Sequence, residues 1–357
     1  MNKKNKTWLT LGAAIAFLLL LAVADRFFDA FTLRVFNLCA VYMVLALSLN
    51  LLLGFTGLFS LGHAGFMAVG AYTCALLTMS RELKELNFFL TPILPWLRDL
   101  SMPFLPALFI AGLVSAFIGF LIAAPALRLR DDYLAIATLG FAEIIRVLIT
   151  NFQPLTNGAQ GLKGLPSYST TYVVWAAAAV TAAFMVLLMR SSFGRAMKAV
   201  KDDEIAAEAM GVNVFRVKVT SFTVSSFFAG VGGALLGHMI TTIDPKMFTF
   251  TLTYNIILIV VLGGSGSISG SVIASFVVTI LMEALRFLDE PMDLLFVRTP
   301  GLPGLRMVVF SVFLMAVIIF RQRGLMGNKE LSWDSLSRAG LRLRRRAGGE
   351  GKEGPNA

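Results

Sequence analysis

TYVVWAAAAVTAAFMVLLM at 171–189, RSSFGRAMKAVKDDEIAAEAMGVNVFRVK at 190–218 and VTSFTVSSFFAGVGGALLGHM at 219–239 follow one another in the chain. Two apolar runs flank a polar island. A helix rises 1.5 Å per residue, so about 20 apolar residues cross the ~30 Å hydrocarbon core. The runs therefore predict two membrane spans with a helix-prone polar segment between them. Such a segment, retained mid-chain, is placed to present itself to something.

The rest of the 357-residue chain repeats the pattern. It is 57% hydrophobic and 15% charged, against about 25% charged in a soluble domain. The apolar blocks lack the period-2 alternation of a barrel strand, which leaves helices as the spanning elements. The reading is an all-α polytopic membrane protein with about ten spans: 8–24, 33–53, 64–79, 104–123, 133–151, 171–189, 219–239, 252–262 continuing brokenly, 271–286 and 305–320. With both termini inside, twenty of the 31 lysines and arginines fall in inward loops and nine in outward loops. That asymmetry follows the positive-inside rule. It also accounts for the net charge of +10 without a nucleic-acid partner. The first run ends in Ala22-Val23-Ala24, which has the look of a signal-peptidase site. Its length beyond the usual ~7–15 residues favours an uncleaved first span.

The expected transmembrane domain is 1–320, with 190–218 as a cytoplasmic segment. The remainder, 321–357, is basic around Arg342, Arg344, Arg345 and Arg346 and then rich in Gly, Glu and Lys. It is expected to be a disordered cytoplasmic tail lying against anionic lipid.

Two glycine-rich breaks interrupt the spans. The first runs from Gly54 to Gly65 and includes Ser60 and His63; the second runs from Gly263 to Gly270. Glycine costs ~1 kcal/mol in a helix interior. Broken backbone inside a membrane is tolerated only against protein or a water-filled cavity. Breaks in both halves of a transporter can flank the substrate path, and tight interhelical turns with small residues are the other reading. Asn50, Ser60 and His63 are candidates for that path. So are Glu143 and Arg146, which at i and i+3 share one helix face. They form either a structural ion pair or a polar spot for the two charges of an amino acid.

Catalytic and cofactor patterns are missing from the chain. His63 and His238 lie far apart without a cluster of ligands, so no metal site is expected. Cys39 and Cys74 fall inside apolar runs and read as small buried hydrophobes. The second break lacks the Gly-Lys-Ser/Thr ending that cradles phosphate. No ATP site and no enzyme activity are expected; powered transport then needs a partner.

The island reads as two short helices. Arg195 to Lys201 forms the first; Asp202 or Asp203 caps the second, from Glu204 to Met210. Gly211 stands where a left-handed C-terminal residue is wanted. The segment is only +2, too mixed in charge for a lipid-binding helix. Ile205, Ala206, Ala209 and Met210 form a small apolar face suited to a protein groove. A solvated surface loop is the alternative.

Glu204 through Gly211, EIAAEAMG, resembles the EAA-Gly loop of ABC importer permeases. Leu49 through Gly54, Ser60 through Phe66 with Gly70-Ala71-Tyr72, Leu127 through Arg130 with Tyr133 through Phe141, Thr156-Asn157-Gly158 with Gly161-Leu162, and Val261 through Gly264 with Gly266 resemble the high-affinity branched-chain amino acid permeases, LivM-type, in that order along the chain. Asp131-Asp132 stands where that family more commonly has Gly. The resemblance covers about 35–320 and implies ABC importer permease architecture in a bacterial inner membrane. It implies two ATP-binding subunits, a second homologous permease, an extracytoplasmic substrate-binding protein and an amino acid substrate. Arg195, Glu204, Ala207, Glu208 and Gly211 would then couple to the ATPase. Urea and short-amide permeases share these motifs, and an ion-coupled secondary transporter using Glu143 and Glu283 is a further alternative.

Overall fold

The computed structural model describes residues 25–320 with short gaps at 90, 130, 290–291, 295–296 and 300–303, together with 17, 21–23, 324–327 and 330. Most of the first expected span, 8–24, and the tail beyond 330 lie outside the described residues. The described chain is helical throughout its apolar runs. Among the described residues, seven helices are long and apolar enough to cross a membrane.

We number the helices α1 (Ala30–Asn50, continued as a π turn over Leu51–Thr56), α2 (His63–Thr78), α3 (Arg81–Asn87), α4 (Phe104–Ala126), α5 (Asp131–Asn151) and α6 (Thr171–Arg190). The polar island supplies α7 (Ser192–Asp202) and α8 (Glu204–Ala209). Then follow α9 (Val214–Ile240), α10 (Phe250–Gly263), α11 (Ile268–Ala284) and α12 (Leu305–Phe320).

Burial ranks these helices. The best membrane window of α1 is 83% buried and that of α9 is 78%, whereas that of α5 is 28%. Helix α2 has every residue but Thr73 buried, so α1, α2 and α9 are the centre, and α5 turns most of its apolar surface outward. Helix α9 packs on α2 and α4 through small residues. A Cβ on Gly70 would lie 2.3 Å from the Cα of Gly230, and one on Gly233 would lie 2.1 Å from the Met67 carbonyl. Lipid tails give no hydrophobic drive for helix association, so close backbone approach of this kind supplies the packing.

Helices α2 and α12 have 16 residues each, about 24 Å at 1.5 Å per residue and short of a full crossing. The reason in α2 is the first break. The Ala64 amide donates to the Thr253 hydroxyl (2.9 Å) and the Leu61 amide to the Thr138 hydroxyl (3.0 Å). Thr253 is ten residues, about 15 Å, from the α10 end that meets the second break. Helix α2 thus starts deep within the bundle. The non-helical 57–62 stretch covers the remaining depth, with the Leu61 amide met by Thr138, the Leu58 amide by the Leu52 carbonyl and the Gly62 amide by Ser60.

Two small antiparallel pairs hold loops at the opposite end from the island. Leu162–Lys163 pairs with Thr242–Ile243, and Met292–Leu294 with Val297–Thr299. Asn157 takes a left-handed conformation (φ 60°) and donates through Nδ2 to the Gly161 carbonyl at 2.7 Å. This turn accounts for the Thr-Asn-Gly motif: its second residue must tolerate positive φ. Lys84 is buried here, its ammonium donating to the carbonyls of Leu97 (2.9 Å) and Leu100 (2.6 Å). Burial pushes its pKa below the ordinary lysine value, with Asp99 opposing.

The packing makes a contrast between two glycines. Gly70→Ala forces α2 and α9 apart and should cost about 1–3 kcal/mol or more. Gly140→Ala on α5 meets nothing within 4 Å and should be neutral or stabilising by up to ~1 kcal/mol. Thermal unfolding in detergent distinguishes them; equal melting temperatures would refute the close-packing account.

Candidate coupling surface and transport path

The island folds as two capped helices on the end of the bundle. Ser191 Oγ accepts from the Gly194 amide (3.2 Å) to start α7, which buries Gly194, Met197 and Val200. Asp203, of the two candidate aspartates, starts α8 by accepting from the Ala206 amide at 2.9 Å. Gly211 has φ +84°, and the Val212 amide returns to the Ala207 carbonyl at 3.0 Å. That is the left-handed stop anticipated for a glycine at this place. Asn213 then caps α9 through the Arg216 amide (2.9 Å).

Of α8 only Ala207 is buried. Glu204 pairs with Lys218, while Ile205 and Met210 stand 82% and 84% exposed. Arg195 and Glu208 are exposed as well. Two large apolar side chains project from a short helix whose fold-facing side is one alanine.

Helix α7 reaches the first break. Lys201 donates through Nζ to the Gly54 carbonyl, and the Lys198 ammonium lies 5.9 Å from the centre of the Phe55 ring. A cation over an aromatic face is favourable, by roughly 0.5–2 kcal/mol. The first break in turn holds the second. Asn50 is fully buried; its amide donates to the Ser267 carbonyl (3.0 Å) and the Ser271 hydroxyl (2.9 Å), and its oxygen accepts from the Gly266 amide (2.9 Å). A Cβ on Gly54 would fall 2.3 Å from the Gly266 nitrogen, so the two breaks touch backbone to backbone. The chain after α12 joins them. Leu325 donates to the Leu262 carbonyl (2.8 Å), and the Glu330 carboxylate accepts from the Ile268 (2.7 Å) and Ser269 (3.1 Å) amides at the start of α11.

The other expected path residues are placed separately. Ser60 is buried and accepts weakly from the Gly62 amide (3.4 Å). His63 is buried with Nε2 2.8 Å from the Ser48 hydroxyl. His238 is likewise satisfied, by Thr78 (2.8 Å) and the Ala234 carbonyl (2.9 Å). Arg146 donates through Nε to both Glu143 carboxylate oxygens at 3.0 Å, on the outward face of α5. The structure brings Asn50 to the island's end of the bundle and does not bring Glu143 and Arg146 to Asn50 or His63. Among the described residues no cluster of three or more His, Cys, Asp or Glu could hold a metal ion, and Cys39 and Cys74 are buried and free.

Lys198, Lys201, Phe55 and Glu330 escaped the sequence reading. Charge and capping rules treat each as local, whereas their partners lie up to 147 positions away. The one available signal was that both breaks carry small residues and no charge, as touching backbones require.

A bundle of apolar helices with polar residues sealed around two touching breaks and a capped polar helix pair at one end defines a polytopic membrane permease. Residues 31–320 match the family described as branched-chain amino acid transport system / permease component, and the chain belongs to that family. It is 34% identical over 308 residues to the high-affinity branched-chain amino acid transport system permease protein LivM of Escherichia coli K12, covering 76% of this chain and 68% of the relative. A probable LivM of Methanocaldococcus jannaschii is 23% identical, covering 82% and 92%. The LivH permease protein of the same E. coli system is 24% identical over 277 residues, covering 71% and 85%. No solved structure matches.

The Asn50 contacts generate a prediction. Asn50→Ala removes the acceptor of the half-buried Gly266 amide and one of the donors to the Ser267 carbonyl, which keeps the Ser271 amide and hydroxyl, and should cost about 1–3 kcal/mol in all. Hydrogen exchange at Gly264–Ser267 should accelerate at least tenfold. Unchanged protection there would show that Asn50 does not hold the second break.

Proposed function

We propose that the chain is the membrane permease subunit of an ATP-driven ABC importer that moves branched-chain or related amino acids across the bacterial inner membrane. Family membership and the named roles of the E. coli relatives support the substrate class. The observation that carries the coupling role is α8, with Ile205 and Met210 projecting beside Glu204 and Glu208. A helix docking into a groove offers such a surface.

The chain crosses the membrane about ten times with both termini and the island inside. Two ATP-binding subunits sit against the island, a second homologous permease packs alongside, and a substrate-binding protein delivers the amino acid from outside. That two permease proteins of one E. coli system both match this chain supports the paired arrangement. When ATP closes the ATPase pair, displacement of α7 and α8 is delivered through Lys198 and Lys201 to the first break and through Asn50 to the second. Arg195, Glu204, Ala207, Glu208 and Gly211 form the coupling element. Asn50, Ser60 and His63 shape the breaks that rearrange as access alternates, and Glu143 and Arg146 stand on the face turned to the path or the second permease, where an ion pair avoids lipid.

Gly211 has φ +84°, which proline cannot adopt, and Glu208→Arg inverts charge on the exposed face of α8. Either variant, at matched expression in the assembled complex, should lower ATP-driven leucine uptake at least tenfold. Unchanged uptake would remove the docking role. Uptake into liposomes by this chain without any ATPase would overturn the importer reading altogether. Protection of the cognate binding protein from thermal unfolding by leucine, isoleucine and valine, and not by urea or short amides, is the expected substrate result.

A further inference from the structure

A cavity of about 170 Å³ lies between α1, α10, α11 and α12, apart from the breaks and the island. Its polar lining comes from Tyr42, Asn255, Thr279, Glu283 and Arg306. Glu283 is the next-to-last residue of α11 and Arg306 the second of α12, so both charges stand at helix ends on the side away from the island. Val278 and Ile259 line the cavity too, and Val278 lies more than one turn further into the bundle than Glu283. The cavity is charged at one end and apolar at the other.

The charges are held, and yet they have capacity left. Glu283 accepts from Arg286 at 3.0 Å. Arg306 Nε lies 3.3 Å from an Asp289 carboxylate oxygen, a charge contact outside hydrogen-bond geometry, so this buried N–H has no acceptor. Thr279 is 97% buried, and its hydroxyl has no partner but the weakly accepting Cys39 thiol. Buried polar groups without partners are uncommon in folded proteins and call for a ligand, ion or water. An acid and a base at one end, with unused donors, complement a zwitterion; a metal ion would not want the guanidinium, and an anion would not want Glu283. An apolar cavity of near this size holds benzene, which sets the scale for a small branched side chain.

We propose that this cavity is a holding site for one free amino acid inside the subunit. Its α-carboxylate takes the Arg306 guanidinium and its ammonium takes Glu283. Its branched side chain lies inward against Val278 and Ile259, and the Thr279 hydroxyl and Asn255 amide complete the polar contacts. The inference rests on the reading that the subunit transports amino acids and adds where, within this chain, one is held.

Two measurements on the assembled importer test it. Val278→Phe fills the inner end without touching either ion pair. In proteoliposomes with ATP it should slow leucine import at least tenfold while ATP hydrolysis stimulated by the loaded binding protein persists. Separately, in a complex with Cys39 and Cys74 replaced by alanine, free leucine should slow alkylation of Val278→Cys at least fivefold, and glycine, lacking the side chain, much less. Should Val278→Phe fail to assemble, the alkylation result decides alone. Unchanged leucine import by Val278→Phe, or alkylation indifferent to leucine, overturns the holding site and leaves the importer standing. Import of no amino acid by the unmodified complex overturns both.

Discussion

Every backbone N–H and C=O inside a bilayer needs a partner from the protein itself, and the two glycine-rich breaks are where this chain meets that demand without a helix. Asn50 answers it for the second break with one side chain that donates twice and accepts once. Thr138 and Thr253 answer it for the first. An asparagine amide has two donors and one acceptor oxygen, so Asn50 has both its donors in use. The bundle's central helix is therefore tied to α11 at a point where both would otherwise expose backbone.

The same constraint explains the small residues. Gly54 and Gly266 bring two backbones together where any side chain would collide, and Gly70 and Gly230 do the same further along. Close approach replaces the hydrophobic drive that lipid cannot supply. Lys198 and Lys201 contact the first break from the island, at the Phe55 ring and the Gly54 carbonyl.

Much of this was legible in advance, residue by residue. The caps of α7 and α8 follow from the chemistry of Ser, Asp and Gly within three or four positions, and the structure chose Asp203 over Asp202. Arg146 meets Glu143 because helix spacing alone brings i and i+3 together. The first island helix is longer than its charged stretch suggested, since Ser191 captures the chain four residues before Arg195. Span length was less legible. Composition marks 64–79 and 305–320 as apolar, but only the depth of Thr253 and Thr138 reveals why α2 begins inside the bundle.

The order of apolar runs and polar breaks by itself determined that the chain is a helical membrane protein with a capped polar segment between two spans, because hydrophobic length and capping are local properties. Tertiary structure alone decided which faces are buried, that the two breaks touch through Asn50, that the chain returns at Glu330 to cap α11, and that Glu283 and Arg306 border one cavity. Those pairings join residues tens to hundreds of positions apart. Their energies come from desolvation and from partners that no local pattern names.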